Sequence, residues 1–191
     1  MTIYSMFAVI LDYPKVPFTE VLEDCAADLA SEAPDAQAHL LDFQASVAQK
    51  TLGQLQEAYT GAFDLRPDCT PNLGYHLFGD DARRGVFLAE LKGRMETRGM
   101  VLGVELPDHI TFILDYLDLA EEERPAMIED CLLPAVTRMI EVLKASGNPY
   151  EHALRALLRL VHHQHEILAA SALKWWTPDG ITIPPGEDRH G

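Results

Sequence analysis

Basic residues are scarce in this chain: 15 Lys and Arg stand against 30 Asp and Glu in 191 residues, a formal charge of -15. Such a surface repels phosphate backbones and anionic headgroups, which excludes nucleic acid as a partner class and favours basic partners. Cysteine is also scarce. Cys25, Cys69 and Cys131 are odd in number, far apart and without CxxC spacing, which excludes a disulfide framework and suits small buried hydrophobes in a reducing compartment. No stretch approaches the roughly 18 uninterrupted apolar residues of a membrane span. The opening MTIYSMFAVILDYP lacks a basic n-region and stops being apolar at Asp12 and Pro14; no signal peptide is expected, and the expected location is the cytoplasm. Alternation of period two is confined to Ile181-Thr182-Ile183, so strands are expected to be negligible.

What is present is helical periodicity with its punctuation. A short apolar segment covers Ile3 to Leu11 and turns at Tyr13-Pro14. Phe18, Leu22, Cys25 and Leu29 form one stripe, and Leu40, Phe43 and Val47 the next. Thr51 with Gln54 reads as a capping box for a helix presenting Leu55, Tyr59 and Phe63. Pro67 and Pro71 mark the stretch 64–72 as a loop. A short helix near Leu73 to Phe78 is followed by Gly79-Asp80-Asp81, where an Asp caps a longer helix with Val86, Leu88, Leu91 and Met95 inward. Pro107 is expected to open the next helix, whose apolar face is Ile110, Ile113, Leu114 and Leu117. Glu121 to Glu123 suit the positive end of a helix dipole, and Pro134 predicts a kink or break. Asn148, Pro149 and Glu151 open a last long helix. The expected fold is all-α, a single-domain helical bundle over residues 1–173 with a loosely held tail, 174–191.

Catalytic motifs are missing: no Walker loop, no GxGxxG after a strand, no GxSxG elbow. The one cluster that invites a metal is His162-His163-Gln164-His165-Glu166, yet HExxH fails because position 169 is Ala. A metal-dependent enzyme built on His162 to Glu166 is therefore the alternative reading. The leading reading is a protein that binds and does not catalyse, with no cofactor of its own. It rests on two polar clusters at helix starts. One is Tyr75-His76-Leu77-Phe78-Gly79-Asp80-Asp81-Ala82-Arg83-Arg84-Gly85, and the other is Glu105-Leu106-Pro107-Asp108-His109. For Asp81, Arg83 and Arg84 the choice lies between fixing a neighbouring helix and touching a partner, with Arg84 assigned to the former.

At these clusters, and in Leu11-Asp12-Tyr13-Pro14, Phe63-Asp64-Leu65 and Asn148-Pro149-Tyr150, the chain resembles the respiratory nitrate reductase delta-subunit family. These are molybdenum-cofactor assembly chaperones related to those of trimethylamine oxide and dimethyl sulfoxide reductases. The resemblance spans most of residues 3–160; the Trp175-Trp176 tail is not covered. It implies a helical bundle of the redox-enzyme maturation chaperone type. Its partner would be the catalytic subunit of a molybdenum oxidoreductase, nitrate reductase or a relative, held through the N-terminal leader or leader remnant while the cofactor is inserted. Molybdenum cofactor biosynthesis proteins are further partners on this view, and the expected state is a monomer or weak homodimer. Tyr59, Phe63, Tyr75, Phe78, Phe112 and Tyr116 are the expected aromatic walls of a client groove. Glu105 and Asp108 would meet client Arg or Lys, and His76, Asp81, Arg83, Pro107 and His109 complete the expected site.

Overall fold

The computed structural model describes residues 1–168, with side chains through Gln164. Within them the chain is helical, and the nearest thing to a strand is one antiparallel bridge between Asn72 and His109. The expected all-α bundle is what forms. Its 173/174 boundary, Trp175-Trp176 and the 181–183 alternation lie outside the described residues.

Helix α1 (Ile3–Ile10) starts where the Thr2 hydroxyl accepts the Ser5 N–H, and it buries Tyr4, Met6, Phe7 and Ile10. Only a helix that is apolar on most sides can sit inside a bundle this way. It packs between α2 (Thr19–Glu32) and α7 (Ile110–Leu119), and the Ser5 hydroxyl donates to Asp118 at 2.9 Å. Helix α3 (Pro34–Val47) opens on its proline, which gives up no hydrogen bond there, and lies along both α2 and α10 (Tyr150–Leu168). The capping box at Thr51 and Gln54 is complete and starts α4 (Leu52–Tyr59), which widens into a π-helical turn, Thr60–Asp64.

A short 3-10 turn (Pro67–Cys69) leads to α5 (Leu73–Phe78), which ends at Gly79 with φ of 59°. Asp81 then accepts the Arg83 N–H and caps α6 (Ala82–Thr97). The buried face of α6 is Phe87, Leu91 and Met95, while Val86, expected inward, is 59% exposed. Leu91 and Met95 are buried as expected, and the difference is confined to the first turn, where Phe87 takes the inward place beside Gly74 of α5.

Helix α7 also departs from expectation. It starts at Ile110 with His109 as its cap, and Pro107 stays outside. The backbone of 107–109 is otherwise engaged: the Leu73 N–H donates to the Asp108 carbonyl and the Ile110 N–H to that of Pro71, both at 2.8 Å. The break expected at Pro134 takes the form of a π-helical turn, Ile128–Leu132, between α8 (Arg124–Met127) and α9 (Leu133–Lys144). A proline has no N–H for the i−4 carbonyl, and the wider turn absorbs the mismatch. Asn148 accepts the Tyr150 N–H at 3.0 Å and opens α10.

Glu123 stands at the start of α8 as expected, and its carboxylate also ties three elements together. It accepts from Arg94 of α6 at 2.9 Å, from Arg98 beyond it, and from the Tyr116 hydroxyl of α7 at 2.7 Å. Burial alone would raise its pKa, but Tyr116 and the two guanidinium groups outweigh it and hold the carboxyl below its usual value. The three cysteines are free and buried, and burial pushes the Cys25 and Cys69 thiols up to about 12, so neither is a nucleophile.

Candidate functional site

The two polar clusters of the sequence meet in space. Segment 71–74 runs antiparallel to 108–110 through the two backbone bonds above. Across this junction Asp108, with no accessible surface, receives the Gly74 N–H at 3.1 Å and the Arg84 guanidinium at 3.0 and 3.2 Å, all on Oδ2. Burial lifts the Asp108 pKa above the ordinary carboxylate value, against the pull of Arg84 and the Gly74 amide. Gly74 has to be glycine, since a Cβ there would lie 2.7 Å from the same Asp108 oxygen and 3.1 Å from Phe87. Arg84 also lies over the half-buried Tyr75 ring at 5.8 Å. Asp108 and Arg84 together brace α5 and α6 to the connector before α7.

Beside the brace opens a cleft of about 430 Å³. Its walls come from three stretches distant in sequence: Asp12 and Tyr13 after α1, Tyr59, Phe63 and Asp64 at the end of α4, and Glu105 and His109 before α7. The aromatic side is continuous with the core. Tyr13 meets Tyr59 edge-on at 5.5 Å, Tyr59 meets Phe63 at 4.8 Å, and both rings rest on the buried Tyr150. Phe63 follows Tyr59 by four residues, a spacing that keeps both on one face across the turn 60–64, while Asp64 is exposed.

The polar side is acidic. Asp12, Asp64 and Glu105 supply carboxylates, and the buried side-chain oxygen of Asn72 has no hydrogen-bond donor among the described residues. Burial holds His109 below the ordinary imidazole value, although Glu105, Asp12, Asp108 and Asp64 all pull it upward. Its Nδ1 accepts from the Thr111 hydroxyl at 2.8 Å and caps α7, a role only the neutral ring can fill. Asp12 already pairs with Lys15 at 3.0 Å and Asp64 accepts from the Thr60 hydroxyl at 3.1 Å. The lining itself nevertheless holds three carboxylates and no Lys or Arg, and the arrangement suits a cationic donor resting on an aromatic face.

Two further hollows continue this surface. One, about 670 Å³, lies between Val9, Tyr13, Val104 and Phe112; the other, about 590 Å³, lies between α6 and the stretch Leu102, Leu106 and Pro107. Between them the connector leaves Val101 and Val104 at 93% and 99% exposure.

A family model described as nitrate reductase delta subunit matches residues 26–156. The chain belongs to that family. A curated relative in Bacillus subtilis (strain 168), named as a probable nitrate reductase molybdenum cofactor assembly chaperone NarJ, is 27% identical over 158 residues, 81% of this chain and 85% of the relative. The delta-subunit match contains the brace and most of the cleft, including Asp64, Glu105 and His109, whereas Asp12 and Tyr13 precede it.

The thirteen residues expected from sequence are not all brought together. Tyr59, Phe63, Glu105 and His109 line the cleft; Phe112 and Pro107 line the adjoining hollows. Tyr116 is fully buried and serves Glu123, and Phe78 packs on Phe87 at 5.3 Å. His76 is buried, its Nε2–H donating to the Thr70 carbonyl at 2.7 Å, and burial holds its pKa below the ordinary value despite that bond. Asp81 and Arg83 are exposed on α6 and pair with each other at 3.1 Å. Sequence reasoning missed Asp12, Asp64 and Asn72 as wall residues. The signal was there: two of them are acids placed directly after an apolar helix end.

His162 and His163 are exposed on α10, facing a hollow of about 290 Å³ with Asp35 and Arg159. The side chains of His165 and Glu166 lie outside the described residues. No helix among the described residues is long and apolar enough to cross a membrane.

Proposed function

We propose that this protein is a molybdenum cofactor assembly chaperone. It would hold the N-terminal segment of a nitrate reductase-type catalytic subunit, and not catalyse a reaction itself. The observation that carries the reading is the cleft between Asp12, Asp64 and Glu105, where three carboxylates and an unpaired amide oxygen surround an aromatic wall. A basic side chain of the client enters there, its charge met by the carboxylates and its stem or guanidinium plane lying on Tyr13 and Tyr59. Apolar residues of the same segment lie along the hollows by Phe112 and Pro107, where the exposed Val101 and Val104 offer further area. Family membership and the relative's name support the client class, and the net charge of -15 supports steering of a basic segment to this face.

In this mechanism Asp108 acts from behind. It fixes the connector that carries Glu105 and His109, while Arg84 pairs with its charge through Oδ2 and Oδ1 is left buried without a partner among the described residues. A chaperone has to release its client, so moderate, salt-sensitive affinity fits the task better than a deeply buried interface.

The test is co-expression of a nitrate reductase catalytic subunit with and without this chain, followed by measurement of molybdenum in the purified subunit. Full occupancy only with the chain present is expected. Equal occupancy in its absence would remove the proposal.

A further inference from the structure

A cluster that shares no residue with the cleft lining has metal-ligand chemistry. His39 and Asp42 stand three apart on α3, a spacing that puts both on one helix face. His152, in the first turn of α10, comes down on that face because α10 packs along α3. One ligand atom from each of the three lies within 4.8 Å of the others.

The His152 ring has an atom to spare. Its Nδ1 is buried and without a hydrogen-bond partner among the described residues. The nearest carboxylate oxygen, Asp42 Oδ2, is 4.0 Å away, too far for a hydrogen bond. In a tetrahedral site with ordinary bond lengths, neighbouring ligand atoms stand about 3.3 Å apart, so small side-chain rotations would close the three around one ion. We propose that His39, Asp42 and His152 form a binding site for a borderline divalent cation, above all Zn²⁺, which would tie α3 to α10.

Two imidazoles and one carboxylate make a zinc donor set that leaves a fourth position for water, whereas hard cations such as Mg²⁺ and Ca²⁺ prefer all-oxygen shells. Asp42 is exposed and both histidines are half-buried, so an ion can reach the site from solvent. The neighbouring Arg155 is engaged by Glu151 at 2.8 Å, which offsets its repulsion of a cation. The site is independent of the chaperone reading and of the His162 to Glu166 cluster.

The experiment uses the full-length untagged chain, titrated with Zn²⁺ against a chromophoric chelator and separately with Co²⁺. Expected are one equivalent bound per chain, visible bands of four-coordinate cobalt, and a melting temperature raised by Zn²⁺. His39→Ala and His152→Gln should each weaken binding at least about tenfold while leaving the circular dichroism unchanged, and His162→Ala should leave binding intact. No saturable uptake by the wild type, or uptake that persists in the folded His39→Ala/His152→Gln variant, would overturn the proposal.

Discussion

Glu105 and Asp108 stand three residues apart on one connector, yet Asp108 has no accessible surface and Glu105 is exposed at the cleft. Around Asp108, Arg84 and the Gly74 amide converge on one oxygen, and a missing Cβ makes the room. Around Glu105 the neighbours are Asp12, Asp64 and an asparagine oxygen, which repel or ignore it. A buried charge with fixed partners cannot be spared for a ligand, because removing a partner strands the other charge. A half-wet group of acceptors costs little to keep and is ready for a cation. The same short motif therefore holds a buried structural acid and an exposed acid that the proposed function uses for recognition, and only burial tells them apart.

The sharpest way to break this comparison is Asp108→Ala. It strands Arg84 and should cost about 3 kcal/mol, read as a lowered urea midpoint with unchanged slope; a loss under about 0.5 kcal/mol would put Asp108 in the same class as Glu105. Gly74→Ala should cost about 2 kcal/mol, because the added carbon overlaps the Asp108 oxygen and Phe87, and the double variant with Asp108→Ala should lose less than the two single losses added together.

Acid should separate the regions more gently. His76 and His109 are both held below the unfolded imidazole value. The unfolded chain therefore takes up protons first, and the stability these groups give is full above about pH 6.5. It is lost as pH falls from there through their folded values. A melting temperature that declines between pH 7 and 5, with a smaller decline in His109→Gln, is expected. The smallest effect belongs to Glu105→Gln, which should leave stability within about 0.5 kcal/mol of wild type, while slowing association with a basic peptide in a salt-dependent manner.

Much of the bundle was legible in the sequence because capping is local chemistry. Thr51, Gln54, Asp81 and Asn148 each satisfy N–H groups a few residues away, and each opens its helix as read. What failed was long-range. Nothing near Pro107 reveals that its neighbours will pair with 71–73, so the start of α7 moved to Ile110. Nothing within α6 reveals that Gly74 will receive Phe87, so the inward residue of the first turn is Phe87 and not Val86.

The site was half legible for the same reason. Tyr59, Phe63, Glu105 and His109 were named from their motifs, and they meet. Their partners Asp12 and Asp64 belong to motifs that the sequence displays without stating that α1 and α4 end side by side. Asp108 and Tyr116 looked like surface contacts because residue type does not disclose burial. Arg84 and Glu123 are what occupy them.

The most direct test is calorimetric titration of a synthetic peptide from the N-terminus of a nitrate reductase catalytic subunit. The wild type would be compared with the triple variant Asp12→Asn, Asp64→Asn, Glu105→Gln at low and high salt. An acidic recognition cleft predicts binding to the wild type that weakens with salt, and at least about tenfold weaker binding by a normally folded triple variant. Equal affinity for both proteins at both salt concentrations would contradict it.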